Sequence, residues 1–287
     1  MTHHTIARSL AAAAATAVLV TAGTASAQSL PGYTPDTWTG PYVGVFGGFT
    51  QENGQDDETL RFDRNLDGNY GDRVALSGTG ADAFSPGYCD GNAGSPVAGG
   101  CDDDSTGTQG GVRLGYDYQL GRFVLGAVAD YSVLNQEDSV TGFSTTPAYY
   151  TFTRTLESMA AIRARLGYAY GPVLGYVTGG YASAKVDNSF ATSNGANTFT
   201  ATSDDDQADG YQVGGGLEWA LAPNLSATAE YLYASLDAGD NVIRVGTGTA
   251  PATNPFILAP NTTGTDMVRS NSRFGVHAIN LGMSYRF

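Results

Sequence analysis

The chain runs to 287 residues and carries 14 Lys+Arg against 28 Asp+Glu, a formal net charge of −14 at pH 7. So acidic a balance excludes nucleic acid as a partner, because phosphate contacts need a clustered basic face. Thirty-nine glycines and seventeen tyrosines weigh against a helical domain, since both are poor helix formers.

The first predicted element is a leader. Arg8 stands before an apolar stretch from Leu10 to Val20, and Ala25-Ser26-Ala27 supplies a small-x-small cleavage site. The pattern predicts a secretory signal peptide over residues 1–27, too short to span a membrane as a helix. Cleavage after Ala27 takes 27 of the 287 residues and leaves a mature chain of 260, with 13 Lys+Arg once Arg8 is lost. His3 and His4 leave as well, so the mature chain keeps one histidine, His277. No later stretch reaches about 18 consecutive apolar residues, so no transmembrane helix is expected. A short periplasmic N-terminal segment is expected over 28–38 and the folded domain over 39–287.

Eight segments with a period of two follow. "YVGVFGGF" (Tyr42 to Phe49) is the first. In the second, Val112, Leu114, Tyr116, Tyr118 and Leu120 oppose Arg113, Gly115, Asp117 and Gln119. The third sets Phe123, Leu125, Ala127, Ala129, Tyr131 and Val133 against Arg122, Gly126 and Asp130. The fourth sets Ile162, Leu166, Tyr168 and Tyr170 against Arg163, Arg165 and Gly167. The fifth, "PVLGYVTGGYASAKV", is strand-like with faces that are hard to tell apart. Tyr211, Val213, Leu217, Trp219 and Leu221 alternate with Gln212, Gly214, Gly216 and Glu218 in the sixth. Leu225, Ala227, Ala229, Tyr231 and Tyr233 oppose Ser226, Thr228 and Glu230 in the seventh, and "INLGMSYRF" closes the series. Repeated alternation of this kind is a β signal.

The connections alternate in length. "LGR", "YGP" and "LAPN" are tight turns built on Gly, Pro or Asn. The others, about 50–107, 136–150, 189–206 and 239–270, are long and polar. An even-stranded meander with all its long loops at one end accounts for this. A soluble barrel would be apolar inside and a membrane barrel apolar outside. The polar faces hold Arg113, Asp117, Asp130, Glu157, Arg163, Arg165, Glu218, Glu230 and Arg286, mixed with Gly and Ser. A solvated surface would favour Lys and Glu. The apolar faces end near the short turns in Tyr118, Phe123, Tyr168, Tyr170, Trp219, Tyr285 and Phe287, where an interfacial aromatic girdle belongs. The all-β fold expected is therefore an eight-stranded antiparallel up-and-down transmembrane β-barrel.

The signal peptide, "PYVGVFGGF", "YVTGGYA", "VGGGLEWAL", "AEYLYASL" and "NLGMSYRF" resemble the Gram-negative outer-membrane β-barrel family. The pattern is similar to the porin-like, sometimes haemin-binding small surface antigens of alphaproteobacterial type. More distantly it is similar to the OmpA transmembrane domain, whose peptidoglycan-binding module is not expected here. The resemblance implies location in the bacterial outer membrane and insertion by the barrel assembly machinery, with Tyr285 and Phe287 as its recognition signal.

Eight strands enclose a space that side chains just fill, so the inward charges read as a salt-bridged plug rather than an open pore. Cys89 and Cys101 share one Gly/Asp-rich segment, and in an exported chain a local disulfide is the default over free thiols or a metal pair. Asp63, Asn65, Asp67 and Gly68 follow a calcium-loop order, but Val74 stands where a bidentate Glu belongs. An acidic Asp/Asn/Gly turn explains them as well, and the runs at 101–104 and 203–209 read as solvated loop charge. A hydrolytic site would have to use His277, with no serine assignable to it. No clear haem ligand pair exists, and no cofactor or enzymatic activity is expected. The expected function is a structural surface barrel that supports the envelope and makes external contacts. Its expected partners are outer-membrane lipid, the assembly machinery, and an external ligand or host surface. The alternatives are a small-solute pore, a haemin- or ligand-binding surface protein, and a lipid-modifying barrel enzyme.

Overall fold

The computed structural model describes residues 38–53, 58–104, 106–203 and 206–287, so the expected signal peptide lies outside the described residues. The chain enters its sheet at β1 (Gly40–Glu52) and then makes four short strands, β2 (Leu60–Asp63), β3 (Gly87–Asp90), β4 (Asn92–Ala93) and β5 (Cys101–Asp102). Four longer strands follow: β6 (Gly107–Leu120), β7 (Phe123–Ser144), β8 (Ala148–Tyr170) and β9 (Val173–Thr192). The short β10 (Thr198–Ser203) leads into β11 (Gln207–Ala222) and β12 (Leu225–Asp237). Last come β13 (Val242–Gly246), a single 3-10 turn (Pro255–Ile257), β14 (Thr265–Arg269) and β15 (Arg273–Arg286).

Eight of these strands close a ring in the order β7-β6-β1-β15-β12-β11-β9-β8, with β8 paired back to β7. All eight pairings are antiparallel. Ring closure leaves no unpaired edge in lipid, where an unsatisfied backbone group costs several kcal/mol. The last strand meets the first in register, with Tyr42 opposite Arg286 and Phe49 opposite Ile279. Leu281, Met283, Tyr285 and Phe287 project outward while Asn280, Ser284 and Arg286 are buried inside.

The outer wall carries two aromatic belts. Tyr118, Phe123, Tyr168, Tyr170, Trp219, Tyr285 and Phe287 are exposed near the short turns. Phe49, Tyr131, Tyr181, Tyr211 and Tyr231 form a second exposed belt further out. Phe123 and Tyr131 on β7 are eight residues apart. A tilted strand covers that span in about 20 Å, close to the ~25 Å apolar band of membrane barrels.

Above the second belt the wall continues and its pattern inverts. Val186 on β9 faces inward and is buried, whereas Lys185, Asp187 and Ser189 face out. Leu156, Phe152 and Tyr150 on β8 are likewise buried. The expected loop over 136–150 is thus mostly strand, with a turn at 145–147 between β7 and β8. β9 likewise runs on to Thr192 within the expected 189–206 loop. The expected loops 50–107 and 239–270 supply β2, β13 and β14, which join β10 in a four-stranded sheet ordered β10-β13-β14-β2. That sheet covers an apolar cluster of Leu60, Phe62, Phe84, Tyr150, Phe152, Phe256 and Met267. The barrel therefore ends in an outer cap with its own core.

Candidate functional site: the ion-paired lumen and its cap

The lumen is filled in layers. At the short-turn end buried Trp38 packs with Val124, Ala169, Leu174, Tyr176 and Ala220. Its backbone N–H donates to Gln119 Oε1 at 3.2 Å, and its carbonyl accepts from Arg286 Nη1 at 2.7 Å.

Two charged layers lie above. In the lower one Arg165 bridges Asp117, at 2.9 Å, and Glu218, while Arg286 reaches Asp117 at 3.0 Å. In the upper one Arg113 holds Asp130 at 3.0 Å and Glu230 at 2.6 Å, and Arg163 pairs with the same two carboxylates. Four arginines thus meet four carboxylates, and the charges cancel. Aromatic rings complete the packing. The Arg165 guanidinium lies 3.9 Å from the Tyr176 ring centroid and that of Arg286 4.8 Å from Tyr42. Tyr176 donates its hydroxyl to Glu230 at 3.0 Å. Desolvated charges of this kind are tolerable only when paired and hydrogen-bonded.

Glycine makes the space. A Cβ at Gly115 would stand 2.3 Å from Tyr42 Cζ, and one at Gly126 2.0 Å from Asp117 Oδ1. The Arg-with-Gly composition of the inner faces is the signature of this close approach.

Glu157 is a correction. Strict alternation from Arg165 and Arg163 puts it in the lumen. The register instead shifts at this position, between Leu156 and Ser158. The bulge turns Leu156 inward and Glu157 outward. There Glu157 meets Lys185 at 2.7 Å, with both side chains about half exposed (47% and 59%).

An apolar layer of Leu134, Leu156, Met159, Ala182, Leu236 and Phe274 separates these charges from a third set. A cavity of about 10 Å³ remains beside Phe46, Gln109 and Gln212, room for about one water. In the third set Arg269 of β14 bridges Glu58, at 2.7 Å, and Asp138 of β7, at 2.5 Å. Arg154 of β8 takes the other Asp138 oxygen at 2.5 Å. These bonds clamp the cap to the barrel wall.

The cap's flank carries the disulfide Cys89–Cys101, with Cα atoms 6.0 Å apart. It ties β3, which extends the wall beside β7 above β6, to the β4–β5 hairpin. Asp90 at the end of β3 and Asp104 just after β5 come together beside Asp138 of β7. Among the described residues this is where three potential ligand side chains come within 4.8 Å of one another. Burial is the main cause that pushes Asp90 up to about 6, reinforced by Asp138, Asp104 and Glu58. Asp104 is raised for the same first reason.

The Asp63–Gly68 segment uses its carboxylate differently. Asp63 Oδ1 accepts the backbone N–H groups of Leu66 and Asp67, and Oδ2 accepts that of Gly68. Asn65 donates to Asp67, so the acids here organise a turn. His277 sits on the outer face, its Nδ1 2.6 Å from Tyr231 Oη and its Nε2 3.5 Å from Asn53 Oδ1. Alternation placed most of these groups, but Tyr42, Phe46 and Tyr176 face the lumen and no signal in their own segments marked them as lumen residues. Arg154 lies between the expected loop 136–150 and the fourth alternating segment, and Arg269 lies within the expected loop 239–270.

The chain matches the family model described as outer membrane protein beta-barrel domain over residues 14–287. It is similar to the 31 kDa outer-membrane immunogenic protein of Brucella melitensis biotype 1, 32% identical over 196 residues, covering 67% of this chain and 71% of the relative. Among solved structures it is similar to OprG from Pseudomonas aeruginosa (12% identity, TM-score 0.45, 89% of this chain and 100% of that one). Another is Ail of Yersinia pestis bound to the heparin analogue sucrose octasulfate (13% identity, TM-score 0.32, 86% and 99%). With a closed ring of eight strands, an apolar outer wall and a charged interior, the chain belongs to the outer membrane protein beta-barrel domain family and resides in the bacterial outer membrane.

Proposed function

We propose that this protein is a sealed surface barrel that supports the envelope and makes contacts outside the cell. The observation that carries the reading is the balanced ionic filling of the lumen, four arginines on four carboxylates across two layers. Opening a passage would require unpairing buried charges, at several kcal/mol each. The Trp38 plug beneath and the clamped cap above argue the same way. The disulfide-stapled cap is the part offered to external partners, and an immunogenic relative fits a protein whose outer segments are displayed. A catalytic role finds no support at His277, whose ring nitrogens meet Tyr231 Oη and Asn53 Oδ1 and whose ring lies against Tyr233. The terminal Tyr285 and Phe287 are the signal proposed for the assembly machinery.

Planar-bilayer recording of the refolded mature protein tests this reading. No conductance steps are expected from the wild type, and steps that shift in size with Arg163→Ala or Glu230→Ala would establish a pore instead.

A further inference from the structure

We infer that the outer end of the barrel accepts an extended, uncharged peptide segment of an external partner as an added strand between β9 and β10. The inference rests on the reading of the cap as the part offered to partners, and it names the kind of partner. β11 begins at Gln207, opposite Lys185, and β9 runs on to Thr192. The Val186 N–H turns to the β11 side and donates to Asp206 O at 2.8 Å, whereas the Ser193 N–H turns to β8 and donates to Tyr149 O. Backbone groups alternate between the two edges of a strand, so those of Phe190 and Thr192 point the same way as those of Val186. No strand lies beside these two residues on that side among the described residues. β10 pairs with β13 and ends its sheet, so its other edge, which faces β9 across a shared groove, carries no strand either.

The two edges lack charged side chains and proline, the devices that natural edges use against pairing. Residues 188–203, which span the end of β9, the connection and β10, hold no charged residue and no proline. β2, at the opposite end of the same sheet as β10, carries Arg61 and Asp63. The groove between the two open edges encloses about 510 Å³ and is lined by Phe190, Thr192, Phe199, Ala201, Asn241 and Ile243, among others. Phe190 and Phe199 are half-buried, with ring centroids 5.3 Å apart. Asn241 Oδ1 is buried with no hydrogen-bond donor, a place for one more N–H. A main chain supplies N–H and C=O groups at the strand repeat, which an open edge requires and a small apolar ligand lacks. Every second side chain of the added strand falls against the two rings. A charged one would be desolvated there without a counter-charge, so the segment is uncharged.

The test is fluorescence anisotropy of a labelled, end-capped peptide, STVTVTVS, titrated with the refolded mature protein in octyl glucoside micelles. Saturable one-to-one binding is expected. An analogue N-methylated at its six central residues keeps the side chains and loses the donors, and should bind about tenfold more weakly or worse. Phe190→Pro removes an edge donor that takes no part in the β8 ladder and should weaken the peptide by about tenfold. Phe190→Leu keeps that donor and should stay within about threefold of the wild type. Heat-modifiable gel mobility confirms that both variants are folded. Absence of saturable binding overturns the inference, as does equal binding of the methylated analogue or equal loss in the two variants. A wild type already dimeric in the micelle that takes no peptide would give the edge to a second copy and overturn it too. Conductance is read separately, so failure here leaves the sealed-barrel reading standing.

Discussion

Arg165 illustrates how a single lumen side chain is held. Its guanidinium bonds Asp117 and Glu218 and lies over the ring of Tyr176. Replacing it with methionine keeps much of the volume and leaves two carboxylates facing each other in a desolvated layer. Arg165→Met should therefore destabilise the barrel by on the order of 3–5 kcal/mol, read from the midpoint of urea unfolding in vesicles. Glu157→Gln should change the same midpoint by less than about 0.5 kcal/mol, because its partner Lys185 is outside and hydrated. A large loss in Glu157→Gln would mean that the residue does face the lumen. Most of the interior charges were legible from the period of two alone. Glu157 was not, since a bulge flips the faces beyond it without any mark in the residues themselves.

The strands and the cap obey different solvents. Between the aromatic belts the apolar residues face out, toward lipid. Above the outer belt water surrounds the wall, and the same strands turn their apolar residues in. Val186 is buried and Lys185 and Asp187 are exposed where, lower on β9, Val177 and Tyr181 are exposed. This reversal made the outer parts of β7, β8 and β9 read as polar loop, although the spans between the belts were plain. The cap's short strands were illegible for another reason: β2 pairs with β14 across some two hundred residues, a separation that no local pattern records. At this scale the acid cluster makes a pH prediction. Asp90 is packed against Asp104 and Asp138, with Glu52 and Glu58 near it and Arg269 as the opposing charge. Its acid is raised to about 6. The stability this contributes is full below the ordinary aspartate range and lost as pH rises through about 6. Near-ultraviolet dichroism of the Phe84–Tyr88–Tyr150 cluster should show a higher melting temperature at about pH 4.5 than at about pH 7.5. Asp90→Asn should narrow that difference. An unchanged difference in the variant would remove Asp90 from the account.

For the molecule as a whole the question is what Phe287 does. Its ring is 70% exposed and touches Tyr285 edge-on, with centroids 5.2 Å apart. Its N–H donates to Pro41 O at 3.0 Å, one bond of the β1–β15 closure. The residues beside it carry far more structure: Arg286 reaches Asp117, Gly40 and Trp38. Deleting Phe287 thus costs the finished barrel about one backbone bond, roughly 1 kcal/mol, and some girdle contact. If stability were its whole purpose, the deletion would pass almost unnoticed. A role in insertion predicts something different. The deleted chain should refold in detergent with near-normal heat-modifiable mobility, yet lose most of its outer-membrane level when expressed in cells. Removing residues 94–99 from the disulfide loop should leave that level nearly intact, because the segment is exposed and lies outside the ring. Normal membrane levels without Phe287 would reduce the residue to a girdle aromatic, and failure to refold in vitro would make it structural. Only a split between refolding and cellular assembly assigns it to recognition of the closing strand.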